Sequence, residues 1–126
     1  MPDPTPSHGK LIGIVGPCGA GKSTLAGGLK QSGYNARPIA QEHSYVKDMW
    51  QRLTKPDILI FLQASHPVGA KRRNMKWTLD EWQEQQLRLL HAREHAKLFI
   101  NTDDLTIAEV LGHALDFLKT SGGFQG

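Results

Sequence analysis

Eight residues near the amino terminus of the chain have the types and spacing that phosphate binding requires. Residues 16–23, GPCGAGKS, follow the pattern G-x-x-x-x-G-K-[ST]. Glycines let the backbone bend and approach a ligand closely, so that successive N–H groups converge on the phosphates of a nucleotide. In this pattern Lys22 reaches the terminal phosphates, and the Ser23 hydroxyl coordinates Mg²⁺. The stretch therefore predicts a loop that binds a nucleoside triphosphate such as ATP, with Mg²⁺, through the following residues: Gly16, Pro17, Cys18, Gly19, Ala20, Gly21, Lys22, Ser23 and Thr24.

The sequence on both sides of this loop supports the prediction. Residues 11–15 (LIGIV) form a short apolar run that is typical of a buried parallel strand. Residues 23–32 carry apolar side chains at helical spacing, and Gly33 is placed to end that helix. The start of the helix would add unpaired N–H groups and the positive end of its dipole to an anion site. A glycine turn that joins a strand to a helix without any ligand is the alternative.

A polar cluster follows the predicted second strand, residues 34–40, which Pro38 restricts to the edge of a sheet. In open α/β sheets, ligands bind at the carboxyl ends of the strands, where this cluster would lie. Glu42 is a candidate to hold a Mg²⁺-bound water or to accept a proton, and His43 is its candidate partner. The alternative is a solvated turn with Ser44 as a helix cap; it suits Glu42 equally well and His43 better.

The third predicted strand, residues 58–62 (ILIFL), is a continuous apolar run and so a central strand. Asp57 precedes this strand, which puts it at the edge of the sheet away from the phosphates. Gln63 reaches the ligand edge but bears no charge. We therefore expect a metal ion to be held by Ser23 with Glu42, or by water and phosphate oxygens alone.

Further helices and one further strand follow from capping patterns and apolar spacing. Residues 78–96 begin with the capping box Thr78/Glu81, flanked by Trp77 and Trp82 as a hydrophobic staple. The remaining predictions are a helix at 45–53, a strand at 98–101 and a helix at 107–119 that starts from a second capping box, Thr106/Glu109. The predicted helix at 45–53 has an apolar face formed by Val46, Met49, Trp50 and Leu53. The apolar face of the 78–96 helix is formed by Leu79, Trp82, Leu89, Leu90 and Ala96.

Two features are compatible with cysteine or metal chemistry but do not predict it. Cys18 is the single cysteine, and a thiol near a helix N-terminus can be activated, but a loop position that supplies only its backbone N–H is favoured. His91 and His95 are four residues apart on one helix face, which is a metal-ligand spacing. No third ligand follows in a recognisable pattern, so a zinc site is not the favoured interpretation.

Length and composition limit the classes of protein to which the chain can belong. The 126 residues allow one domain, which we expect at residues 10–120, between a proline-rich lead-in at 1–9 and a tail at 121–126. A formal net charge of +3 and no basic tract interleaved with aromatics argue against nucleic-acid binding. No apolar run is long enough to span a membrane, and the lead-in lacks the apolar core of a signal peptide. We expect a cytoplasmic protein.

Residues 16–23 resemble the Walker A loop of the P-loop NTPases. Residues 55–73 (KPDILIFLQASHPVGAKRR) resemble a second feature of the P-loop kinases that act on nucleotides and small metabolites: Pro-Asp, an apolar strand, a proline turn and a helix that ends in arginine. Residues 98–110 (LFINTDDLTIAEV) look like the last strand and helix of the same kinases. The resemblance implies that Arg72 or Arg73 reaches over the phosphates from a lid, and that residues 101–104 border the adenine.

An arginine in that place is physically reasonable, because phosphoryl transfer depends mostly on positioning and on stabilising charge. The alternative for Lys71, Arg72 and Arg73 is a solvated basic helix end. Arg88 and Arg93 are further candidate lid arginines. The chain also departs from these kinases, because residues 34–55 leave no room for a substrate-binding helical segment or for an extra strand ending in an acid.

We expect an α/β protein with the three-layer α/β/α P-loop NTPase fold and a small, mostly parallel sheet of about four strands. One hypothesis is a compact Mg²⁺-dependent phosphotransferase or NTPase that uses ATP and has an unidentified acceptor, with the catalytic residues Lys22, Glu42, Arg72 and Arg73. The other is a nucleotide-binding regulatory or assembly module with a protein partner and no transfer; the uncharged Gln63 favours it. A GTPase is less favoured, because no N-K-x-D motif is present. A second copy of the chain could complete the core around Trp50, Trp77 and Trp82.

Overall fold

The computed structural model describes residues 10–73 and 78–120, with the backbone alone at Arg73. The predicted lead-in, the tail and the staple residue Trp77 lie outside these residues. The described chain is α/β, with four parallel strands in the order β2-β1-β3-β4. The strands are β1 (Ile12–Val15), β2 (Ala36–Pro38), β3 (Ile58–Gln63) and β4 (Leu98–Asn101). The helices are α1 (Lys22–Gln31), α2 (His66–Arg73), α3 (Leu79–His95) and α4 (Ile107–Thr120), with a 3₁₀ turn at Gln41–His43 and a π-helical turn at Trp50–Thr54.

Two apolar clusters cover alternate side chains of the central strands. Ile12 and Ile14 of β1 and Ile60 of β3 pack with buried residues of α1 and α4. Val15, Leu59 and Phe61 instead pack with Trp50 and with the α3 residues Leu89 and Ala92. Since successive residues of a strand point to opposite faces, the two clusters lie on opposite faces of the sheet. Both faces of β1 and β3 are therefore buried, as their continuous apolar sequences predict.

The order of the strands brings the polar candidates to one edge of the sheet. From β1 the chain passes to β2 on one side, and then crosses to β3 on the other side of β1. In parallel sheets such a reversal opens a crevice at the carboxyl ends of the strands, where ligands bind. The glycine loop follows β1, the 3₁₀ turn follows β2, and Gln63 and Thr102 lie at the ends of β3 and β4. Asp57 lies at the opposite edge as expected, where its Oδ2 accepts a hydrogen bond of 2.7 Å from the Leu11 N–H.

Both predicted capping boxes are present. Thr78 Oγ1 accepts from the Glu81 N–H, and Glu81 Oε1 accepts from the Thr78 N–H, at 3.1 and 2.9 Å. The same reciprocal pair links Thr106 and Glu109 at the start of α4, and it lowers the pKa of the Glu109 carboxyl below its usual value. The caps fix where both helices begin. Of the helices in the described ranges, none is long and apolar enough to cross a membrane.

The predicted helix at residues 45–53 is wrong. The structure has turns there, followed by the π-helical turn Trp50–Thr54. The cause is the buried side chain of Gln41, whose Oε1 accepts from the Trp50 N–H at 2.8 Å and whose Nε2 donates to the Val46 carbonyl at 2.9 Å. These bonds satisfy backbone groups that a helix would otherwise pair. Trp50 is buried as predicted, but Leu53 is 81 % exposed.

The predicted strand at 34–40 and the predicted apolar face of α3 also need correction. The strand is limited to three residues, but it lies at the edge of the sheet as Pro38 predicts. On α3, Leu79 and Leu90 are half exposed, whereas Gln85, Leu89 and Ala92 are buried. The polar Gln85 lies on the buried face because it hydrogen-bonds to the glycine loop. Apolar spacing alone cannot reveal that partner.

We predict that Gly16→Ala destabilises the protein by about 1–3 kcal/mol or more, because the added Cβ would lie 2.2 Å from the backbone oxygen of Leu62. Gly112→Ala in α4 is the matched control. A Cβ there meets nothing within 4 Å, and helix propensity should then stabilise the protein by about 0.5–1 kcal/mol. Urea unfolding of the two variants measures both effects, and equal midpoints would show that close packing against β3 does not constrain the loop.

Candidate functional site

The glycine loop between β1 and α1 packs tightly against its neighbours. Gly16 lies under the Leu62 carbonyl at the end of β3. Gly19 has φ +83°, and a Cβ there would lie 2.6 Å from the Cα and carbonyl oxygen of Gly69 in α2. The backbone of α2 can approach the loop only because both positions are glycine. The pattern of the sequence is thus explained locally: the loop glycines allow contact between the loop, β3 and α2.

The Lys22 side chain folds back over the loop. Its Nζ donates to the Gly16 and Pro17 carbonyls at 2.8 and 3.3 Å. It also forms an ion pair of 2.8 Å with Glu42 Oε2, in which the Lys22 side chain is 12 % exposed and that of Glu42 is 5 % exposed. The structure therefore brings together the two residues that the sequence offered separately as phosphate-binding and acid/base candidates.

Glu42 is a buried carboxylate with one oxygen that has no hydrogen-bond partner. The 3₁₀ turn after β2 carries it, and its Oε1 is buried without a partner in the described part of the chain. The Arg88 guanidinium reaches the same turn and donates to the Glu42 carbonyl at 3.3 Å. This environment does not agree with the solvated turn that was the alternative for Glu42. Burial of a charge normally requires that all its partners be present, so the free oxygen is notable.

Arg72 and Thr102 connect α2, the loop and the end of β4. Arg72 Nη1 donates to Thr102 Oγ1 at 2.8 Å and to the Gly19 carbonyl at 3.2 Å, and Nη2 donates to the Thr102 carbonyl. Thr102 is buried, and its hydroxyl lies within hydrogen-bond distance of the Ala20 and Gln63 carbonyls. Arg72 is thus held beside the loop and is not part of a helix end directed only to solvent. The Arg73 side chain is outside the described atoms.

A cavity of about 860 Å³ opens over these groups. This volume is within the range of small-molecule sites. Residues 18–25 form one wall with the Lys22, Ser23 and Thr24 side chains, while Glu42, His43 and Arg72 line another. Thr102 and the start of α4, with Leu105, Val110 and Leu111, form an apolar end. Of residues 101–104, which the resemblance places near a base, only Thr102 lines the cavity.

The end of β3 carries the uncharged Gln63, and a carboxylate from the neighbouring strand end contacts the residues that follow: Asp103 Oδ1 accepts from the Ser65 N–H at 3.0 Å. Gln63 Nε2 donates to Gln86 Oε1 at 2.8 Å, and Gln86 Nε2 donates to Gln63 Oε1 at 3.1 Å. This reciprocal amide pair satisfies both side chains and links β3 to α3. Glu42, which follows the edge strand β2, is the carboxylate that forms an ion pair with Lys22.

Cys18 and His43 complete the wall beside Glu42. Cys18 is buried, and its Sγ lies 3.7 Å from His43 Nε2, which in turn lies 3.7 Å from Glu42 Oε2. Gln85 of α3 holds the cysteine at two points: its Oε1 accepts from the Cys18 N–H at 3.0 Å, and its Nε2 donates to Sγ at 3.3 Å. No signal in the sequence pointed to Gln85, and for Cys18 the sequence favoured a source of a backbone N–H over an activated thiol.

Four other residues that the sequence offered do not take the roles considered for them. The Arg93 guanidinium stacks over Phe99, 5.0 Å from the ring centre, and is not near the loop. His91 Nδ1 accepts from Trp50 Nε1 at 3.1 Å, and His95 Nδ1 lies 2.8 Å from the His91 carbonyl. The two imidazoles therefore contribute to the packing around Trp50, and no described carboxylate or thiol joins them in a metal-ligand group. Arg88, a candidate lid arginine, binds backbone and Glu84 instead.

The chain matches none of the protein-family models, and no curated protein matches it either. What the protein does is therefore inferred from the geometry of the site.

We predict that substitutions at Lys22 and Glu42 have strongly coupled effects on the free energy of unfolding. Removal of one partner of a buried ion pair typically costs about 3–5 kcal/mol, because the other charge remains buried. Lys22→Met and Glu42→Gln should each destabilise the protein, and the double variant should lose much less than the sum of the two. Urea unfolding of the four proteins measures the coupling. Asp48→Asn breaks an exposed ion pair with Arg52 and is the control, which should hardly change the urea midpoint. If the losses of unfolding free energy at Lys22 and Glu42 simply add in the double variant, the pairing is contradicted.

Proposed function

We propose that this protein binds a Mg²⁺ nucleoside triphosphate in the cavity and transfers its terminal phosphoryl group, and that it is a small three-layer α/β/α protein of the P-loop NTPase type. One observation carries the proposal: the Lys22 ammonium lies 2.8 Å from a buried carboxylate, where a glycine loop and a helix N-terminus form one wall of an 860 Å³ cavity. A helix N-terminus and converging backbone N–H groups favour a polyanion at that wall.

The ion pair itself supports a functional role. A buried ion pair is a poor way to stabilise a protein, since desolvation offsets most of the attraction. A buried glutamate with a free oxygen is even less favourable. Both groups face a cavity at the carboxyl edge of a parallel sheet, which is the usual location of ligands in this architecture. We infer that the pair persists because a ligand uses both charges.

The residues present fit a Mg²⁺ ion. Mg²⁺ takes hard oxygen ligands, and the Ser23 hydroxyl and the Glu42 carboxylate both line the cavity. When bound, Mg²⁺ would neutralise charge on the phosphate oxygens and orient them. A phosphate next to the Glu42 carboxylate would place two negative charges side by side, so a cation is needed between them. Two unit charges of like sign about 4 Å apart repel by about 4 kcal/mol at an effective dielectric constant of 20.

In this proposal Lys22 moves from its loop carbonyls to the terminal phosphates. Its present bonds to the Gly16 and Pro17 carbonyls would be exchanged for charged oxygens of the ligand, which are stronger acceptors. Glu42 holds a metal-bound water or accepts the proton of an acceptor hydroxyl. Arg72, already beside Gly19, stabilises the charge that develops during transfer.

A nucleotide-binding module without transfer is the second candidate. The observation that favours it is the amide pair Gln63–Gln86, which occupies the end of the central strand β3 with two uncharged side chains. Measured release of ADP distinguishes the two. Turnover that rises with an added acceptor supports transfer, whereas tight binding without turnover supports the module.

We expect ATP with Mg²⁺ to bind to the purified protein and Lys22→Met to lose most of that affinity. Loss of a charged hydrogen bond to phosphate lowers the binding free energy by about 1.5–3 kcal/mol, which corresponds to a dissociation constant more than tenfold larger. At a concentration 100 times the dissociation constant, the ligand should add about 2.7 kcal/mol and raise the melting temperature by roughly 10 °C. Titration calorimetry and thermal unfolding with ATP, GTP and their diphosphates measure both quantities.

Lys30→Met is the matched control, because Lys30 is exposed in the last turn of the same helix and does not line the cavity. It should bind ATP as the unmodified protein does. Equal affinity in the Lys22 and Lys30 variants, or no binding in any of them, would contradict the proposed function.

Arg72→Ala should lower the rate constant of transfer by roughly 100-fold while changing nucleotide affinity much less, since the arginine acts on charge that develops in the transition state. Single-turnover kinetics and equilibrium titration separate the two effects. Arg93→Ala, at the stacked arginine over Phe99, is the control and should retain both. Equal losses of rate and affinity at Arg72 would make it a ground-state contact with the phosphates.

A further inference from the structure

We infer that Cys18 Sγ, His43 Nε2 and the carboxylate of Glu42 form a metal site for a borderline-soft divalent cation such as Zn²⁺, which shares Glu42 with the proposed Mg²⁺ site. This inference does not depend on nucleotide binding. The three side chains offer one sulfur, one nitrogen and one oxygen ligand, and the ligand atoms all lie within 4.8 Å of one another. They come from two separate segments, the glycine loop and the 3₁₀ turn after β2, which the sheet places side by side.

The distances suit tetrahedral coordination. With metal–ligand distances of about 2.0–2.3 Å, ligand atoms on a tetrahedral Zn²⁺ lie about 3.4–3.6 Å apart. Here Sγ lies 3.7 Å from His43 Nε2, and the same nitrogen lies 3.7 Å from Glu42 Oε2. Shifts of a few tenths of an ångström would bring these two pairs to tetrahedral spacing, and the third pair, Cys18 Sγ and the Glu42 carboxylate, lies within 4.8 Å. Thiolate and imidazole ligands select Zn²⁺ and related metals over Mg²⁺, which prefers oxygen.

An independent observation indicates that a ligand is missing. Glu42 is only 3 % exposed, yet its Oε1 has no hydrogen-bond partner among the described residues. The other oxygen, Oε2, lies near His43 and pairs with Lys22, so a metal ion held by both carboxylate oxygens would give Oε1 its missing partner. The nearby Lys22 ammonium does not prevent binding, because it keeps the Gly16 and Pro17 carbonyls as acceptors when the carboxylate turns to the metal.

Outer contacts support the same arrangement. The Gln85 amide donates to Cys18 Sγ at 3.3 Å and fixes the cysteine through its backbone N–H as well, which is the role that surrounding hydrogen bonds have at metal sites. Cys18 and His43 line both the large cavity and a neighbouring one of about 440 Å³, and the His43 side chain is 59 % exposed. The metal can therefore enter from solvent. Three protein ligands leave a fourth position for water.

Cobalt is a suitable probe, because the chain has a single cysteine and a sulfur-to-cobalt charge-transfer band can come only from Cys18. Untagged, metal-free full-length protein titrated with Co²⁺ should develop this near-ultraviolet band and the visible spectrum of four-coordinate cobalt at one equivalent. Zn²⁺ should displace the cobalt, and a large excess of Mg²⁺ should not. Cys18→Ser should lose the band, and His43→Gln should weaken cobalt affinity by more than about tenfold. Circular dichroism checks that both variants are folded.

His95→Gln is the matched control, since it removes the other candidate metal histidine and should leave the band unchanged. Lys22→Met should keep the band even though it loses nucleotide affinity, which separates this site from the proposed nucleotide site. The inference is overturned if the unmodified protein shows no charge-transfer band, if Mg²⁺ displaces the cobalt, or if His95→Gln abolishes binding while His43→Gln does not.

Discussion

The contact between the Lys22 ammonium and the Glu42 carboxylate determines how the carboxyl edge of the sheet is organised. It joins the first residue of α1 to the turn after β2. Each charge needs the other, because both side chains have lost most of their contact with water. The loop carbonyls of Gly16 and Pro17 provide the further acceptors that the ammonium needs. Together with the hydrogen bonds of Gln41, Gln85 and Arg72, this pair fixes how the loop and the turn face the cavity.

The cavity is lined by polar side chains near the ion pair and by apolar side chains near the start of α4. The end near Lys22 also has Ser23, His43 and Arg72, each at the end of a strand or at the start or end of a helix. The end near Leu105 and Val110 is formed by the start of α4, whose capping box fixes its first turn against α1. A ligand with a polyanionic part and an apolar ring would fit both ends, which is consistent with the nucleotide that we propose.

Much of the fold could be predicted because local signals agree with the final packing. Continuous apolar runs mark β1 and β3, and reciprocal Thr/Glu caps mark α3 and α4. The segment after His43 could not be predicted, since the buried amide of Gln41 replaces helical hydrogen bonds with its own. The predicted buried face of α3 was right at Leu89 but wrong at Leu79 and Leu90, and it omitted Gln85, which is held there by a polar contact to a loop 67 residues away.

The residues of the site were predicted one by one, but the contacts between them were not. The loop could be found from its spacing, Glu42 from its place after a strand and Arg72 from the resemblance to kinases, but the sequence left Glu42 evenly balanced with a solvated turn. Only the three-dimensional structure pairs Glu42 with Lys22 and places Cys18 and His43 beside it. Such distances depend on which strands are neighbours, and a single sequence does not specify the order β2-β1-β3-β4.

Nucleotide binding as proposed requires the Lys22 ammonium to exchange the loop carbonyls for the phosphates. A crystal structure of the protein with Mg²⁺ and a non-hydrolysable ATP analogue would show whether this exchange occurs. We expect phosphate oxygens within hydrogen-bond distance of the loop N–H groups and of Lys22 Nζ, with that nitrogen moved away from the Gly16 carbonyl. A nucleotide bound elsewhere, or a loop in which Lys22 keeps its present contacts beside the bound analogue, would contradict it.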